Sequence, residues 1–466
     1  MSRIAINAAR NPACILIILA CLVPRPAASQ VTDLQLSVSP SPVGSGARAA
    51  GMANAFVAIA DDATAASWNP AGLVQLEEPE FSIVGSFNSV FERLSAEAHS
   101  EVDRWTNSQG AELNFLSLTW PIPVTIKGRN VTVGLYYQRK YEFERKVALN
   151  FNDSNVVNNI VFNRSNRIRF DQHGGLSALS PGFAFELTNR LSLGLTLNLW
   201  RDTFLGKNGW EQETSRRTFA QDRTNLSLSQ ANIKETYKDF RGENVSVGIL
   251  WAPTDRWSFG ARWDSGFTGK VDYEIRSVSR TRGAVPVPLR FRRNTERREL
   301  RFPDTYAAGI AFRPNDRLVV SADVSMTNWN DFYVKEESGN RVSLVNAQPV
   351  EDNDFDDTYT IRLGGEYVFI PKNPGPKLDR LWTVRGGLFY DQEPASGHPE
   401  DFYGIAIGAG LLFNQRVNVD VAYQMRWGPD VNAENFRGFE ADEDVFQSRV
   451  LLSTVIYLGK RKASIR

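Results

Sequence analysis

The feature that most constrains this chain is a two-residue period that recurs through its length. In residues 191–199, Leu191, Leu193, Leu195, Leu197 and Leu199 share one face, and Ser192, Gly194, Thr196 and Asn198 share the other. Residues 417–427 repeat the pattern, with Val417, Val419, Val421, Tyr423, Met425 and Trp427 set against Asn418, Asp420, Ala422, Gln424 and Arg426. The same alternation marks 131–137, 257–263, 318–326, 359–369 and 403–413. A period of two belongs to a strand and not to a helix. The chain is expected to be all-β over most of its length.

A soluble sandwich also alternates, so the connections decide. Short, turn-rich links fall at 121–130, 188–190, 253–256, 314–317, 371–380 and 414–416. Longer, charged links lie between them, at 92–110, 150–164, 206–224, 265–301, 330–357, 391–401 and 428–447. Six short and seven long links in strict alternation predict about fourteen antiparallel strands, with short turns on one side and long loops on the other. That sidedness is the mark of a transmembrane β-barrel with both chain ends in the periplasm. Trp120, Trp251, Trp257, Phe312, Phe369, Trp382, Phe413 and Tyr457 all sit beside the short turns, where a girdle at the lipid–water boundary would place them.

Residues 1–29 read as a secretory signal: Arg3 and Arg10 precede the apolar run 14–23, and Ala27, Ala28 and Ser29 offer a small-residue cleavage site. Cleavage removes Arg3, Arg10 and Arg25 and no acid, so the balanced whole of 53 basic and 53 acidic residues becomes slightly acidic. Such a balance argues against a nucleic-acid partner held by a basic surface. Both cysteines, Cys14 and Cys21, lie in the signal, so no disulfide or thiol chemistry is expected. No other segment approaches a membrane helix, and a chain in lipid must pair every backbone donor and acceptor. A closed barrel in the outer membrane of a Gram-negative cell meets both conditions.

Residues 44–73 differ in kind: GSGARAAGMANAFVAIADDATAASWNPAGL is small, apolar and nearly free of bulky groups before Trp68. It can pack inside a container and cannot build a core of its own. A short helix is expected within 47–60, then a turn at Asn69, Pro70, Ala71 and Gly72, since proline disfavours helix for the residue before it. The expected organisation is a signal (1–29), an N-terminal hatch in the lumen (30–78), a barrel (79–459) and a basic tail (460–466).

These segments carry a resemblance. The hatch with Asn69-Pro70-Ala71, the run FPDTYAAGIAFRPNDRLVVSADVSMTNWNDF (302–332) and the run VRGGLFYDQEPASGHPEDFYGIAIGAGLLFN (384–414) resemble the FadL and TodX outer-membrane transporters of long-chain fatty acids and aromatic hydrocarbons. The resemblance implies a fourteen-stranded barrel that takes up hydrophobic molecules passively and releases them sideways through a wall defect. Two departures stand out: Ala53-Asn54 where relatives often have paired glycines, and a basic tail after Tyr457 and Leu458.

A sideways exit needs a break in the wall. Ser180, Pro181 and Gly182 interrupt an otherwise good strand, and reflection about the 150–164 link places them near Gly134 on the preceding strand. A lateral gate is therefore expected at these four residues, between the third and fourth strands; a β-bulge that only shapes the barrel is the alternative. Ligand is expected to enter among the long loops and meet Phe204, Trp210, Phe267, Trp329 and Phe332. Arg262, Asp264, Arg362, Glu366, Asp420 and Arg426 are expected to face the lumen, beside the small Gly404, Ala406, Gly408 and Gly410. Nine arginines from Arg276 to Arg301 crowd the longest link, where lipopolysaccharide phosphates or plain solvent would meet them. The acidic runs 351–357 and 440–444 lack calcium-loop spacing and read as solvated surface. With only His99, His173 and His398 and no nucleophile elbow, no catalytic residue, metal or cofactor is expected. A monomeric channel for hydrophobic molecules is the reading; a non-conducting carrier or anchor for a secreted protein is the alternative.

Overall fold

The computed structural model describes residues 44–97, 99–122, 128–157, 160–221, 225–283, 287–344, 348–352, 357–371, 380–394, 401–436 and 439–459. The expected signal (1–29), the first part of the expected hatch (30–43) and the basic tail (460–466) lie outside the described residues.

In chain order the strands are β1 (Glu80–Ser95), β2 (Arg104–Pro121), β3 (Val131–Glu142), β4 (Arg145–Val157), β5 (Ile160–Thr188), β6 (Leu191–Trp200), β7 (Gly209–Gln221), β8 (Leu226–Trp251), β9 (Trp257–Asp264), β10 (Phe267–Arg282), β11 (Val287–Phe302), β12 (Thr305–Asn315), β13 (Leu318–Thr327), β14 (Tyr333–Lys335), β15 (Arg341–Ser343), β16 (Thr358–Phe369), β17 (Arg380–Asp391), β18 (Phe402–Phe413), β19 (Val417–Phe436) and β20 (Phe439–Tyr457). Fourteen of them close a ring of antiparallel neighbours: β1, β2, β3, β5, β6, β8, β9, β12, β13, β16, β17, β18, β19 and β20. The ring closes where β20 pairs back onto β1, from Glu80↔Tyr457 to Ser95↔Asp442. Among the described residues no helix is long and apolar enough to cross a membrane. The wall crosses with strands.

The remaining six strands correct the reading of the long links as loops. β4 folds back on β5, β7 bridges β5 and β8, β10 and β11 form a long hairpin on β8, and β14 and β15 add to β11. These strands raise the sheet well beyond the barrel, so β8 runs 26 residues where its barrel portion faces β6 over about ten. β4 buries Val147, Leu149 and Phe151 on one face and the start of β10 buries Phe267, Val271 and Tyr273, whereas β7 and β11 show no continuous apolar face to read.

Within the barrel wall the alternation holds. Trp120, Trp251, Trp257, Phe369, Trp382 and Phe413 are exposed on the outside near the short turns, as a lipid-facing girdle requires. The inside is filled by residues 44–76, nearly all buried. This segment holds helix α1 (Ala47–Gly51), helix α2 (Ala65–Trp68) and a 3-10 turn at Pro70–Gln75. The single helix expected within 47–60 stops at Gly51 because Ala53 (φ 55) and Asn54 (φ 64) adopt left-handed backbone. Those are the positions where relatives often carry glycine, and left-handed φ supplies the reason.

Wall residues make room for this segment. At Gly248 a Cβ would fall on the Asn69 side chain, and at Gly364 on the Met52 carbonyl, so only glycine admits the segment so close. Of the small inward set read from sequence, Gly408 meets Gly51, whereas Gly404 accommodates Phe389 and Gly410 accommodates Asp420.

Candidate functional site

Polar bonds fix the N-terminal segment to strands all round the barrel. Asn69 is fully buried; its Nδ2 donates to Val57 O and to Ile249 O, both at 2.9 Å, and its Oδ1 accepts from Ala71 N at 3.2 Å. Pro70 then opens the 3-10 turn, Ser192 Oγ donates to Ala71 O, and Gly72 is pressed against Ala60 O. Elsewhere Ser453 accepts from Ala47 N, Asp323 from Val57 N, and Gln424 donates to Ala50 O.

The strongest tie is ionic. Arg48 makes a fork with Glu366, Nε to Oε2 at 2.9 Å and Nη2 to Oε1 at 3.0 Å, and also reaches Asp61 at 2.5 Å. Arg385 bonds the same Glu366 at 2.6 Å and Asp420 at 2.7 Å. Arg385, Glu366 and Asp420 are all buried; Glu366 and Asp420 lie inside as expected, and Arg385 joins them. A charged chain removed from water needs such pairing.

Above this segment lies an aromatic cluster. Trp200, Phe240, Phe267, Phe302, Phe332 and Trp329 pack ring to ring, with Trp200 stacked on Phe267 at 5.1 Å and Phe267 on Phe302 at 4.9 Å. Trp210 stacks on Tyr237 at 4.1 Å and edges Phe143. Four of the five expected ligand residues, Trp210, Phe267, Trp329 and Phe332, therefore meet in one buried cluster. Phe204 does not join them: it is 94% exposed on the link after β6. Trp200 and Phe302 belong to the cluster without being among the expected residues. Trp200 had a signal, since it sits on the polar parity of its strand, after Ser192, Gly194, Thr196 and Asn198.

Between the cluster and the N-terminal segment a cavity of about 90 Å³ touches Ser45, Ser67 and Trp68 below and Tyr141, Trp200, Phe267 and Trp329 above. Arg139, Lys140, Arg262 and Arg362 reach it, against Asp264 and Asp391. Arg262 is held by Asp264 at 3.1 Å, and Arg362 bonds Ser325 at 3.0 Å. Lys140 has a different standing. The β3–β5 register slips between Arg139 and Tyr141, so Lys140 is the extra residue of a β-bulge and has no ion pair among the described residues.

At the expected gate, Gly134 stands directly opposite Gly182, and Leu135 opposite Pro181. The ladder between these third and fourth ring strands is unbroken there. It lapses on the other edge: β5 pairs with β6 at Leu179↔Leu199 and again at Gly182↔Thr196, skipping Ser180 and Pro181 without a change of register. Pro181 has no N–H to give. Ser180 Oγ instead bonds Asn198 at 2.8 Å, and Asn198 bonds Ser246 at 3.0 Å. On the inner side the buried ring of Tyr136 covers both glycines, held by Thr119 at 3.4 Å.

The acidic run 440–444 departs from solvated surface. Glu443 is fully buried and takes Arg145 Nη2 at 2.7 Å, while Glu92 takes Arg145 Nε at 3.1 Å. This triad ties β4 across β1 and β20. In the arginine-rich hairpin, Arg276 and Arg293 share Glu274, Arg297 approaches Asp272 at 3.5 Å and Arg298 lies over the Tyr273 ring at 3.5 Å.

Comparison with known proteins fits this geometry. No curated protein matches the chain in sequence. Among solved structures, a FadL homologue of Pseudomonas aeruginosa superposes with a TM-score of 0.55 at 15% identity, covering 91% of this chain and 100% of that one. The toluene transporter TodX of Pseudomonas putida gives 0.55 at 14%, covering 90% and 99%, and the toluene transporter TbuX of Ralstonia pickettii gives 0.51 at 15%, covering 89% and 99%. At such identities these likenesses speak for the fold. The family profile described as outer membrane protein transport protein (OMPP1/FadL/TodX) matches residues 172–454, more than half of the sequence, and the chain belongs to that family.

Proposed function

We propose that this outer-membrane barrel admits hydrophobic small molecules by diffusion, and that among fatty acids and aromatic hydrocarbons it favours the fatty acids. The observation that carries the reading is the aromatic cluster standing over a cavity lined by cations. Trp200, Phe267, Phe302 and Trp329 offer an apolar passage, and Lys140, which has no ion pair among the described residues, offers an ammonium beside it. A neutral hydrocarbon has no use for that charge, whereas a carboxylate gains a charge-assisted hydrogen bond. The cavity is large enough for a headgroup and too small for a whole ligand, so rings of the cluster must move as the tail follows.

Residues 44–76 act as the hatch, with Asn69, Pro70, Ala71 and Gly72 as its anchored end. The gate consists of Gly134, Ser180, Pro181 and Gly182, with Tyr136 as its inner cover. Release is sideways, at the lapse between β5 and β6.

The test is uptake in a host lacking its own hydrophobe channel, using a labelled long-chain fatty acid, a labelled monoaromatic and a small sugar. Faster entry of the fatty acid than in the empty host, with no gain for the sugar, is expected. Lys140→Gln should lower fatty-acid uptake about ten-fold, the worth of one charged hydrogen bond, and leave the monoaromatic unchanged. Fatty-acid entry no faster than in the empty host, from a folded and surface-exposed barrel, overturns the reading. Pro181→Val with unchanged uptake removes the gate from it.

A further inference from the structure

The outer wall carries a feature that transport through the lumen does not use. Where β8, β9, β12 and β13 face lipid, a groove of about 380 Å³ runs across the wall, and its surface is almost wholly apolar. Its floor is Ala261 and Ala308, direct cross-strand partners. On either side of that pair, in the same row, stand Ile249 and Val324. The next row toward the long links is Trp263, Tyr306, Met326 and Tyr359, again partner to partner. Two methyl groups thus form a depression beneath a rail of bulky side chains.

Beyond the rail, on the same outward face, Arg241 of β8 and Lys270 of β10 stand directly opposite each other, and both are exposed. Like charges so placed weaken a strand pair unless an anion sits between them. Neither has an ion pair among the described residues. The nearby carboxylates are engaged elsewhere: Glu299, directly across from Lys270 on β11, holds Lys335 at 3.5 Å, Asp272 meets Arg297 at 3.5 Å, Glu243 binds Arg201 at 2.9 Å, and Glu274 holds Arg276, Arg293 and, at 3.7 Å, Lys238.

We propose that the groove and the cation pair together bind one phosphorylated, acylated glycolipid of the lipid A type, with an acyl chain on Ala261 and Ala308 and a phosphate between Arg241 and Lys270. The distances agree. Nine residues separate Ala261 on β9 from Lys270 on β10, two strands that follow one another along β8, about 30 Å of extended chain. At a tilt near 45° that is about 20 Å of depth, one leaflet with its headgroups. The site lies on the side of the long links, which is the outer leaflet. A phosphate there relieves the opposed cations by charge-assisted hydrogen bonds, and the chain covers an indentation that a flat wall lacks.

The experiment is native mass spectrometry of the full-length protein extracted in mild detergent. It is followed by titration with lipid A, dephosphorylated lipid A and phosphatidylglycerol, read as mass shift and as thermal stabilisation. Wild type is expected to retain lipid A. Ala261→Trp with Ala308→Trp fills the groove without touching the lumen and should abolish retention, while Ala409→Trp on the wall of β18 should not. Arg241→Gln with Lys270→Gln should weaken lipid A binding about ten-fold or more and make it equal to that of the dephosphorylated form. Heat-modifiable migration confirms that each variant is a folded barrel. Equal retention by the groove-filled variant, or phosphatidylglycerol binding as tightly as lipid A, overturns the proposal.

Discussion

Glu366→Gln tests how the hatch is held. Glu366 is a wall carboxylate shared by Arg48 of the hatch and Arg385 of β17, at 2.6 to 3.0 Å. The glutamine keeps the shape but loses the charge, and its amide nitrogen faces two guanidinium donors. Breaking a buried pair from one side costs about 3–5 kcal/mol. Here Arg48 retains Asp61 and Arg385 retains Asp420, which points to the lower end, near 3 kcal/mol. Each neutral tether of the hatch, such as Ala47 to Ser453 or Asn69 to Ile249, contributes about 1 kcal/mol. The ionic tie therefore equals about three of them, and its loss should raise local opening about a hundred-fold while the barrel stays closed. Hydrogen exchange in micelles reads this directly: amides of 44–60 should exchange about a hundred-fold faster, with β1 and β20 unchanged. Arg48→Gln combined with Glu366→Gln should lose less than the sum of the single changes, since both act on one interaction. A hatch change below about three-fold, or equal acceleration in β1 and β20, refutes the latch.

Three further outcomes are expected. Tyr136→Ala removes a fully buried ring from over Gly134 and Gly182; it should lower thermal stability by about 3–5 kcal/mol and quicken fatty-acid entry, and unchanged uptake would remove Tyr136 from the gate. Ala53→Gly relieves a left-handed alanine and should slow hatch exchange by about 1 kcal/mol; faster exchange would show that the methyl packing matters more than the backbone. Glu144, beyond the membrane-level part of β3, has its carboxyl raised to about 7 by burial, with Glu112 and Glu142 adding to the shift. Below about pH 4.3 both folded and unfolded states hold its proton; between there and 7 the unfolded state releases it first, so stability falls and stays lowered above 7. Glu144→Gln should gain about 1 kcal/mol at pH 8 and nothing at pH 4 in denaturation of the detergent-solubilised protein, the figure being reduced for partial exposure.

The barrel was legible because lipid on one side and a filled lumen on the other impose opposite demands on alternate residues. That contrast stops at the membrane boundary. Residues 209–221 and 287–302 form strands with no apolar face, so only their contacts with β5, β8 and β10 reveal them. The expected ligand residues were chosen as aromatics in long links, a rule that finds Trp210, Phe267, Trp329 and Phe332. The same rule admits Phe204, which points to solvent, and overlooks Trp200, which lies at the end of a membrane strand. The acidic neighbours of Glu443 suggest surface, yet its partner Arg145 lies 298 residues away and no local pattern announces it. Lys140 depends on a one-residue slip, and a slip shows in pairing and not in composition.

The energetics of the hatch bear on the route a ligand takes. Twelve hydrogen bonds tie 44–76 to the wall, two from Asn114 and one each from Ser453, Gln424, Asp323, Ser258, Thr196, Arg262, Ile249, Ser192, Gln138 and Arg313, in addition to the fork on Glu366. At about 1 kcal/mol each, with about 3 kcal/mol for the ion pair, expelling the hatch costs on the order of 15 kcal/mol, comparable to unfolding a small domain. Tyr136 is held by one hydrogen bond of 3.4 Å and by its packing against Phe115, and two glycines give its ring space to leave. A rotamer change there is a far smaller step, and the lapse beside Pro181 already lacks ladder bonds on its β6 edge. Passage sideways with the hatch in place is thus the cheaper motion. It predicts that cross-linking the hatch to the wall, through cysteines at Ala47 and Ser453, leaves fatty-acid uptake within about two-fold of wild type; loss of uptake on cross-linking, restored by reduction, would mean that the hatch itself must move.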